Sequence, residues 1–322
     1  MELTRKPNEI AQLIGGAKTI ALCAHVNPDG DTVGSVLALR LGLIALGKQV
    51  QVFCQDKIPG TLSMLPGVEE FRLPGNERFD LLINVDVSDL SRMGESCRKL
   101  VDQADKTAQI DHHGTNPCDM DVNSVDPASP ATGLLIKQQL DVLGVTVDRD
   151  MAMCLYAAIS TDTGNFAFDS TNAEAFNVMS TLMDSGLPLG ELNRVLFRQR
   201  QKPHVKLLAR ALSSLTFHAG ERITTMQLTM QDFADCGALP EHADAIVNYG
   251  VDIPGVTMAL LARENGDGTV KMALRAVRPV RVDEIARSFG GGGHAQAAGC
   301  TVTGPLGQAV EAVLAAMNKS IE

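Results

Sequence analysis

The sequence contains no tryptophan and only two tyrosines, and aromatic residues make up 4% of its 322 positions. Proteins that bind long single strands stack successive bases on aromatic side chains, so this composition argues against that class. The formal net charge of −10 argues against a protein that coats long DNA or RNA, because such proteins carry basic surfaces. A small anionic substrate stays compatible, since divalent cations held by acidic side chains create positive charge locally.

Long apolar segments are also missing. No stretch approaches the roughly 18 apolar residues that cross a bilayer, and the N-terminal residues lack the apolar core of a secretory signal. The seven cysteines include no CxxC pair. An odd, unpatterned set of cysteines suits reduced thiols in the cytoplasm, where disulfides are rare. We therefore expect a cytoplasmic protein without membrane contact.

The first half of the chain alternates short β-branched segments with longer amphipathic ones. This pattern predicts an α/β fold with a doubly wound, mainly parallel sheet. We predict strands at 19–25, 49–54, 80–86 and 107–113, and helices at 32–47, 131–143, 150–159 and 172–183. An N-terminal domain would cover residues 1–187.

The second half has a different character. Strands are predicted at 222–229, 257–262 and 270–277, with a hairpin turn at 264–268 and a helix at 283–289. These elements indicate a smaller α+β domain over residues 207–322, separated from the first domain by a cleft. Residues 188–206 are rich in Arg and Lys and are interpreted as a linker, although a solvated helix face explains their charge equally well.

The motif HVNPDGD follows the first predicted strand directly. His25, Asp29 and Asp31 would lie at the carboxyl end of that strand, where open parallel sheets place their binding sites. Pro28 and Gly30 would shape a sharp turn that brings the three side chains together. A surface turn with an Asp N-cap is an alternative that these residues alone leave open.

Three further polar groups lie at the ends of predicted strands or helices. Asp86 ends the strand FDLLINVD, Asp111-His112-His113 ends the strand TAQIDHH, and Asp162 follows an apolar helix. Each one alone fits a helix cap or a surface group, but together they gather carboxylates and imidazoles at one edge of the sheet. Such a sulfur-free set suits Mn²⁺ or Mg²⁺, and paired cations are the usual device for attack on phosphorus.

The four glycines at 290–293 precede His294. Their backbone N–H groups could converge on an anion without interference from Cβ atoms, whereas a flexible linker is the alternative. Arg275, Arg278 and Arg281 lie just upstream and could grip a terminal phosphate.

The motifs HVNPDGD, NVDVSD, DHH, STDTGNF and FGGGGHAQAAG occur in the order and spacing of the DHH phosphoesterase superfamily, which this chain resembles along nearly its whole length. The two-domain layout is similar to that of nano-RNA phosphodiesterases that also remove a phosphate from 3′-phosphoadenosine 5′-phosphate (pAp). The resemblance implies a catalytic domain that binds two divalent cations, with Mn²⁺ preferred, and a substrate-binding domain for short RNA or DNA fragments or nucleotides.

The resemblance also implies roles for individual residues. His25 and Asp29 would hold one cation, Asp31, His112 and Asp162 the other, and Asp86 both. Asp111 would orient His112, and His113 would face the scissile phosphate. Substrate contacts would come from Arg275, Gly291, Gly292, Gly293 and His294. Ala276 stands where the family often has serine.

Two alternative functions remain at this point. One is an inorganic pyrophosphatase of the same superfamily, which the motif FGGGGHAQAAG disfavours. The other is a nucleotide-binding regulatory module without catalysis, which the intact set of ligand residues disfavours. The sequence does not rank pAp, dinucleotides and RNA of three to five residues as substrates, and it leaves open whether the chain acts as a homodimer.

Overall fold

A computed structural model describes residues 5–321 of the protein. The chain divides into two compact units, the first ending at Gln199 and the second beginning at Arg200. Within the described range, every helix is too short or too polar to cross a lipid bilayer.

The first unit is built on a five-stranded sheet with the order β2-β1-β3-β4-β5, in which all pairings are parallel. Its strands are β1 (Thr19–Cys23), β2 (Gln49–Phe53), β3 (Phe79–Val85), β4 (Ala104–Asp111) and β5 (Val122–Val125). Its helices are α1 (Pro7–Gly16), α2 (Gly30–Ala45), α3 (Glu95–Arg98), α4 (Leu100–Gln103), α5 (Thr132–Val142), α6 (Arg149–Asp162), α7 (Ala173–Asp184) and α8 (Leu189–Asn193).

Apolar side chains cover both faces of this sheet. The larger core contains residues of α1, α2, α5, α6 and α7, and a smaller core contains residues of α3 and α4. Strands β2 and β3 lie on opposite sides of β1, so the chain changes direction there, which creates the crevice where such sheets bind ligands. The predicted doubly wound parallel sheet is confirmed.

Helices α2 and α6 approach each other closely at Gly34. A Cβ atom at this position would lie 2.3 Å from the carbonyl oxygen of Cys154. Only glycine therefore permits the observed spacing of the two helices. The spacing matters because α2 begins beside Asp29 and α6 ends at Asp162.

The second unit contains a six-stranded sheet with the order β10-β11-β9-β8-β7-β6, in which only β7 and β8 pair in parallel. Its strands are β6 (Thr216–His218), β7 (Ile223–Leu228), β8 (Met258–Glu264), β9 (Thr269–Ala276), β10 (Gly292–His294) and β11 (Ala297–Thr303). Its helices are α9 (Lys202–Ser213), α10 (Met230–Cys236), α11 (Asn248–Val251), α12 (Asp283–Ser288) and α13 (Leu306–Lys319). The predicted α+β character and the β8–β9 hairpin are confirmed.

Residues 188–206 were predicted to form a linker. They contain α8, a π-helical turn at Arg194–Arg198 and the beginning of α9. The assignment of these residues to a linker stays a prediction.

Candidate metal centre

The residues predicted for the site follow three neighbouring strands of the first sheet. His25 lies just after β1, Asp86 just after β3, and Asp111 is the last residue of β4. These strands are adjacent and parallel, so their carboxyl ends bring the polar groups to one edge. Asp86 adopts a left-handed conformation with φ of 61°, which is rare for a residue other than glycine and turns the chain sharply at the strand end.

One group of possible ligand atoms consists of His25, Asp29 and Asp86. Nε2 of His25 lies 3.6 Å from Oδ2 of Asp29 and 3.5 Å from Oδ2 of Asp86. A second group consists of Asp31, His112 and Asp162. Nε2 of His112 lies 3.9 Å from Oδ2 of Asp31 and 3.3 Å from Oδ2 of Asp162.

Asp86 connects the two groups through different oxygens. Its Oδ2 faces His25, while its Oδ1 lies 3.7 Å from Nε2 of His112. Oδ1 also lies 3.7 Å from Nδ1 of His113, which forms a third group with Asp86 and His112. A single carboxylate between two sets of ligands has the geometry to contact two cations at once.

Burial and mutual repulsion make this set of carboxylates costly without a cation. Asp31 is buried, and its burial together with the nearby Asp86 and Asp162 carboxylates raises the pKa of Asp31 well above its usual value. Burial also raises the pKa of Asp162 to about 6, although His112 opposes this change. Burial of His25 opposes its protonation, but Asp29 and Asp86 outweigh that effect and raise the pKa of His25 to about 10. Buried oxygen and nitrogen donors that repel one another fit a site for divalent cations.

Backbone carbonyl groups orient the imidazoles of His25 and His112. Nδ1 of His25 lies 2.8 Å from the carbonyl oxygen of Val26, and Nδ1 of His112 lies 3.1 Å from that of Ser129. An Nδ1–H group that donates to a carbonyl fixes the tautomer and leaves Nε2 free to bind a metal. In both residues, Nε2 is the atom that faces the carboxylates.

The first turn of α5 holds two of the carboxylates, which the sequence did not indicate. The backbone N–H groups of Thr132 and Gly133 donate to Asp31 at 2.6 and 2.9 Å, and the Thr132 hydroxyl donates to Oδ1 of Asp86 at 2.8 Å. The sequence predicts that a helix begins at Ala131, but it does not show that the start of this helix contacts the carboxylates. The orphan N–H groups of a helix start are well suited to carboxylates.

The predicted contact between Asp111 and His112 is wrong. Nδ1 of His113 donates to Oδ1 of the buried Asp111 at 2.7 Å, and Asn116 donates to Oδ2 of Asp111 at 2.6 Å. In an extended chain, residues i and i+2 lie on the same side, so Asp111 shares a side with His113 and not with His112. The Asp111 hydrogen bond raises the pKa of His113.

The substrate residues predicted in the second unit lie on adjacent strands. His294 in β10 and Arg275 in β9 both pair with Ala297 of the intervening strand β11. Arg275 is half-buried, which lowers the pKa of its guanidinium, and its side chain donates to the Leu274 carbonyl at 3.0 Å. Arg281 instead donates to Asp283 at 2.8 Å.

The glycine run is partly a strand, so it is not a flexible linker. Gly292 and Gly293 pair with Gly299 and Ala298 of β11. A Cβ atom on Gly291 would lie 2.2 Å from the Gly299 carbonyl oxygen, and one on Gly293 would lie 2.5 Å from that of Ala297. Close packing against β11 therefore explains two of the glycines, and a role of the run in anion binding stays a prediction.

Two family models match the chain. The DHH family, N-terminal domain, matches residues 19–159, and the DHHA1 domain matches residues 227–322. The chain belongs to the DHH family. The family resemblance seen in the motifs is confirmed.

Individual relatives cover nearly the whole chain. The bifunctional oligoribonuclease and PAP phosphatase NrnA of Thermus thermophilus is 34% identical over an alignment of 328 residues including gaps. The alignment covers 99% of this chain and 95% of that protein. The protein of the same name from Bacillus subtilis is 25% identical, over 91% of this chain and 92% of its own. The crystal structure of an exopolyphosphatase-related protein from Bacteroides fragilis has the same fold, with a TM-score of 0.88 at 23% identity over 97% of this chain and 95% of that one.

Proposed function

We propose that this protein is a phosphoesterase that uses two divalent cations to hydrolyse short oligoribonucleotides, including dinucleotides, and pAp. The position of Asp86 between two sets of ligand atoms is the observation that carries this proposal. The names of the relatives from Thermus thermophilus and Bacillus subtilis support the two classes of substrate.

In this proposal His25 and Asp29 would hold one cation, Asp31, His112 and Asp162 would hold the other, and Asp86 would contribute to both sites. Mn²⁺ is preferred, because imidazole favours a softer ion than Mg²⁺. Bound cations of this kind stabilise charge on a reacting phosphate and lower the pKa of water, so the protein needs no Ser or Cys nucleophile. All seven cysteines are free thiols, which supports the cytoplasmic location that we propose.

Other residues of the chain would orient the ligand side chains and contact the substrate. Val26, Ser129 and Thr132 fix the ligand side chains before substrate arrives. His113 would donate a proton or a hydrogen bond to the phosphate, a role supported by the hydrogen bond with Asp111, which raises the pKa of His113. Arg275 and His294 would anchor a second phosphate together with the glycine run, and the pairing of both residues with Ala297 of β11 supports this role.

Hydrolysis of end-labelled RNAs tests the proposal. RNAs of two, about five and about 24 nucleotides are compared with pAp in the presence of Mn²⁺. Because the exterior carries net negative charge, long RNA gains little additional binding, and we expect the short RNAs to react faster. Faster hydrolysis of the longest RNA, or no hydrolysis of any of these substrates, would contradict the proposal.

A further inference from the structure

One face of the second sheet carries three cations, Arg263, Lys271 and Arg275, which we call the basic face. Side chains alternate along β9, so Lys271 and Arg275 share a face with Ala273. The other face of β9 packs into the core with α13. Arg263 lies on β8 directly opposite Lys271.

The basic face forms part of a recess of about 190 Å³. Leu261 and Ala273, which pair across β8 and β9, lie between the cations, and residues 243–247 provide a wall. Small and apolar residues in this position leave room for a ligand beside the charged groups. The recess has space for a phosphate group with part of its sugar.

The protein offsets only part of the positive charge of this face, through the interaction of Asp244 with Arg275. Within residues 5–321, none of the three cations forms an ion pair, and Asp244 is the only carboxylate that lines the recess. Arg263 donates to the carbonyl oxygen of Pro240 at 2.6 Å, which holds its guanidinium in place. Like charges directly opposite each other on a sheet repel, and a bound anion would remove that repulsion.

The strand sets the distance between the backbone positions of two of the cations. Arg275 and Lys271 are four residues apart on one strand, which separates their Cα atoms by about 13 Å at the usual rise of a strand. Adjacent phosphates of a single strand are closer together than this. Two phosphates separated by two internucleotide steps can reach both positions.

We propose that Arg263 and Lys271 bind a further backbone phosphate of an RNA whose other phosphate is held at Arg275. This inference rests on the proposed function and adds a length preference to it. A 5′-phosphorylated dinucleotide has only two phosphates, so the one that is hydrolysed and the one at Arg275 leave none for Arg263 and Lys271. A 5′-phosphorylated pentanucleotide can occupy both and gains an additional charge-assisted contact.

Kinetics on the two RNAs test the length preference. Lys271→Ala should lower the ratio of kcat/KM for the pentanucleotide to that for the dinucleotide by about three- to tenfold, since an exposed charge is partly screened. Lys319→Ala is the matched control, because Lys319 is an exposed lysine at the end of α13, which packs on the opposite face. The control should leave the ratio at the wild-type value. An unchanged ratio in Lys271→Ala would overturn the proposal.

A binding measurement separates this inference from the proposed function. Binding of a fluorescent pentanucleotide is measured without divalent metal, so hydrolysis is not required. Each phosphate contact contributes about 0.7 to the slope of log affinity against log salt concentration for a single strand. Lys271→Ala should lower the slope by about that amount, whereas Arg263→Lys keeps the charge and should keep the slope.

The outcomes of the two measurements are distinguishable. If the wild type hydrolyses no RNA but Lys271→Ala lowers the slope, the proposed function fails and the phosphate position at Lys271 stands. If Lys271→Ala leaves the slope unchanged, or the wild type binds no pentanucleotide, the phosphate position is wrong even where hydrolysis is normal.

Discussion

Asp111 and His113 form a hydrogen bond of 2.7 Å between Oδ1 and Nδ1 at the carboxyl end of β4. Asp111 is fully buried, and its second oxygen is held by Asn116, so the carboxylate has little freedom to move. His113 is 41% exposed at its side chain and therefore accessible from solvent. The hydrogen bond with this rigid carboxylate raises the pKa of His113 above its usual value.

Asp111→Asn should lower kcat by about 10- to 100-fold, because an amide no longer stabilises charge on His113. KM and the affinity for Mn²⁺ should change much less, as His112 is held by Ser129 instead. Steady-state kinetics on pAp and calorimetric titration with Mn²⁺ check this. Asp119→Asn, an exposed residue nearby, serves as the control. A large loss of metal affinity with normal kcat would contradict the assignment.

Asp86→Asn should reduce turnover by more than about 100-fold while the protein stays folded, since an amide oxygen cannot contact two cations as a carboxylate does. Circular dichroism and kcat on a dinucleotide are the measurements. Asp105→Asn changes the same group at an exposed position on β4 and should keep wild-type activity. Near-normal turnover in an Asp86→Asn protein that binds metal normally would refute the shared-ligand role.

Removal of divalent metal should abolish activity, and Mn²⁺ should restore it better than Mg²⁺ because two of the proposed ligands are imidazoles. The measurement is the rate of pAp hydrolysis after exhaustive chelation and then after addition of each ion. Full turnover after chelation would exclude the two-cation site.

Arg275→Ala and His294→Ala should raise KM for dinucleotides by about 10- to 150-fold, the range for loss of one charge-assisted contact. A generic chromogenic phosphodiester has no phosphate for these residues to anchor, so its hydrolysis should change less. Steady-state kinetics on both substrates distinguish the two cases. Equal losses on both would mean that Arg275 and His294 support the fold or the metal centre.

The sequence was informative where apolar segments meet polar residues. His25 and Asp86 follow the apolar strands β1 and β3, and Asp111 ends β4, so both the parallel sheet and the edge that gathers these groups could be predicted. The partner of Asp111 was predicted wrongly, since a family motif gives the order of residues and not the direction of their side chains. The contacts of Thr132 and Gly133 with Asp31 join positions about a hundred residues apart and depend on tertiary packing.

Strand β10 is a second feature that the sequence alone does not predict. Glycine has low strand propensity, so a run of four glycines predicts a loop. The segment pairs with β11 because Gly291 and Gly293 approach that strand more closely than residues with side chains could. Such a preference belongs to the pair of strands and is not visible in either one alone.

The contact of Gly34 with Cys154 makes the metal centre sensitive to a residue that touches none of its ligands. Asp29 and Asp31 begin α2 and Asp162 ends α6, so a methyl group at position 34 would wedge the helices apart and separate these carboxylates. Cation coordination tolerates errors of only a few tenths of an ångström. A substitution at position 34 would therefore change the spacing of the proposed cation ligands without contacting any of them.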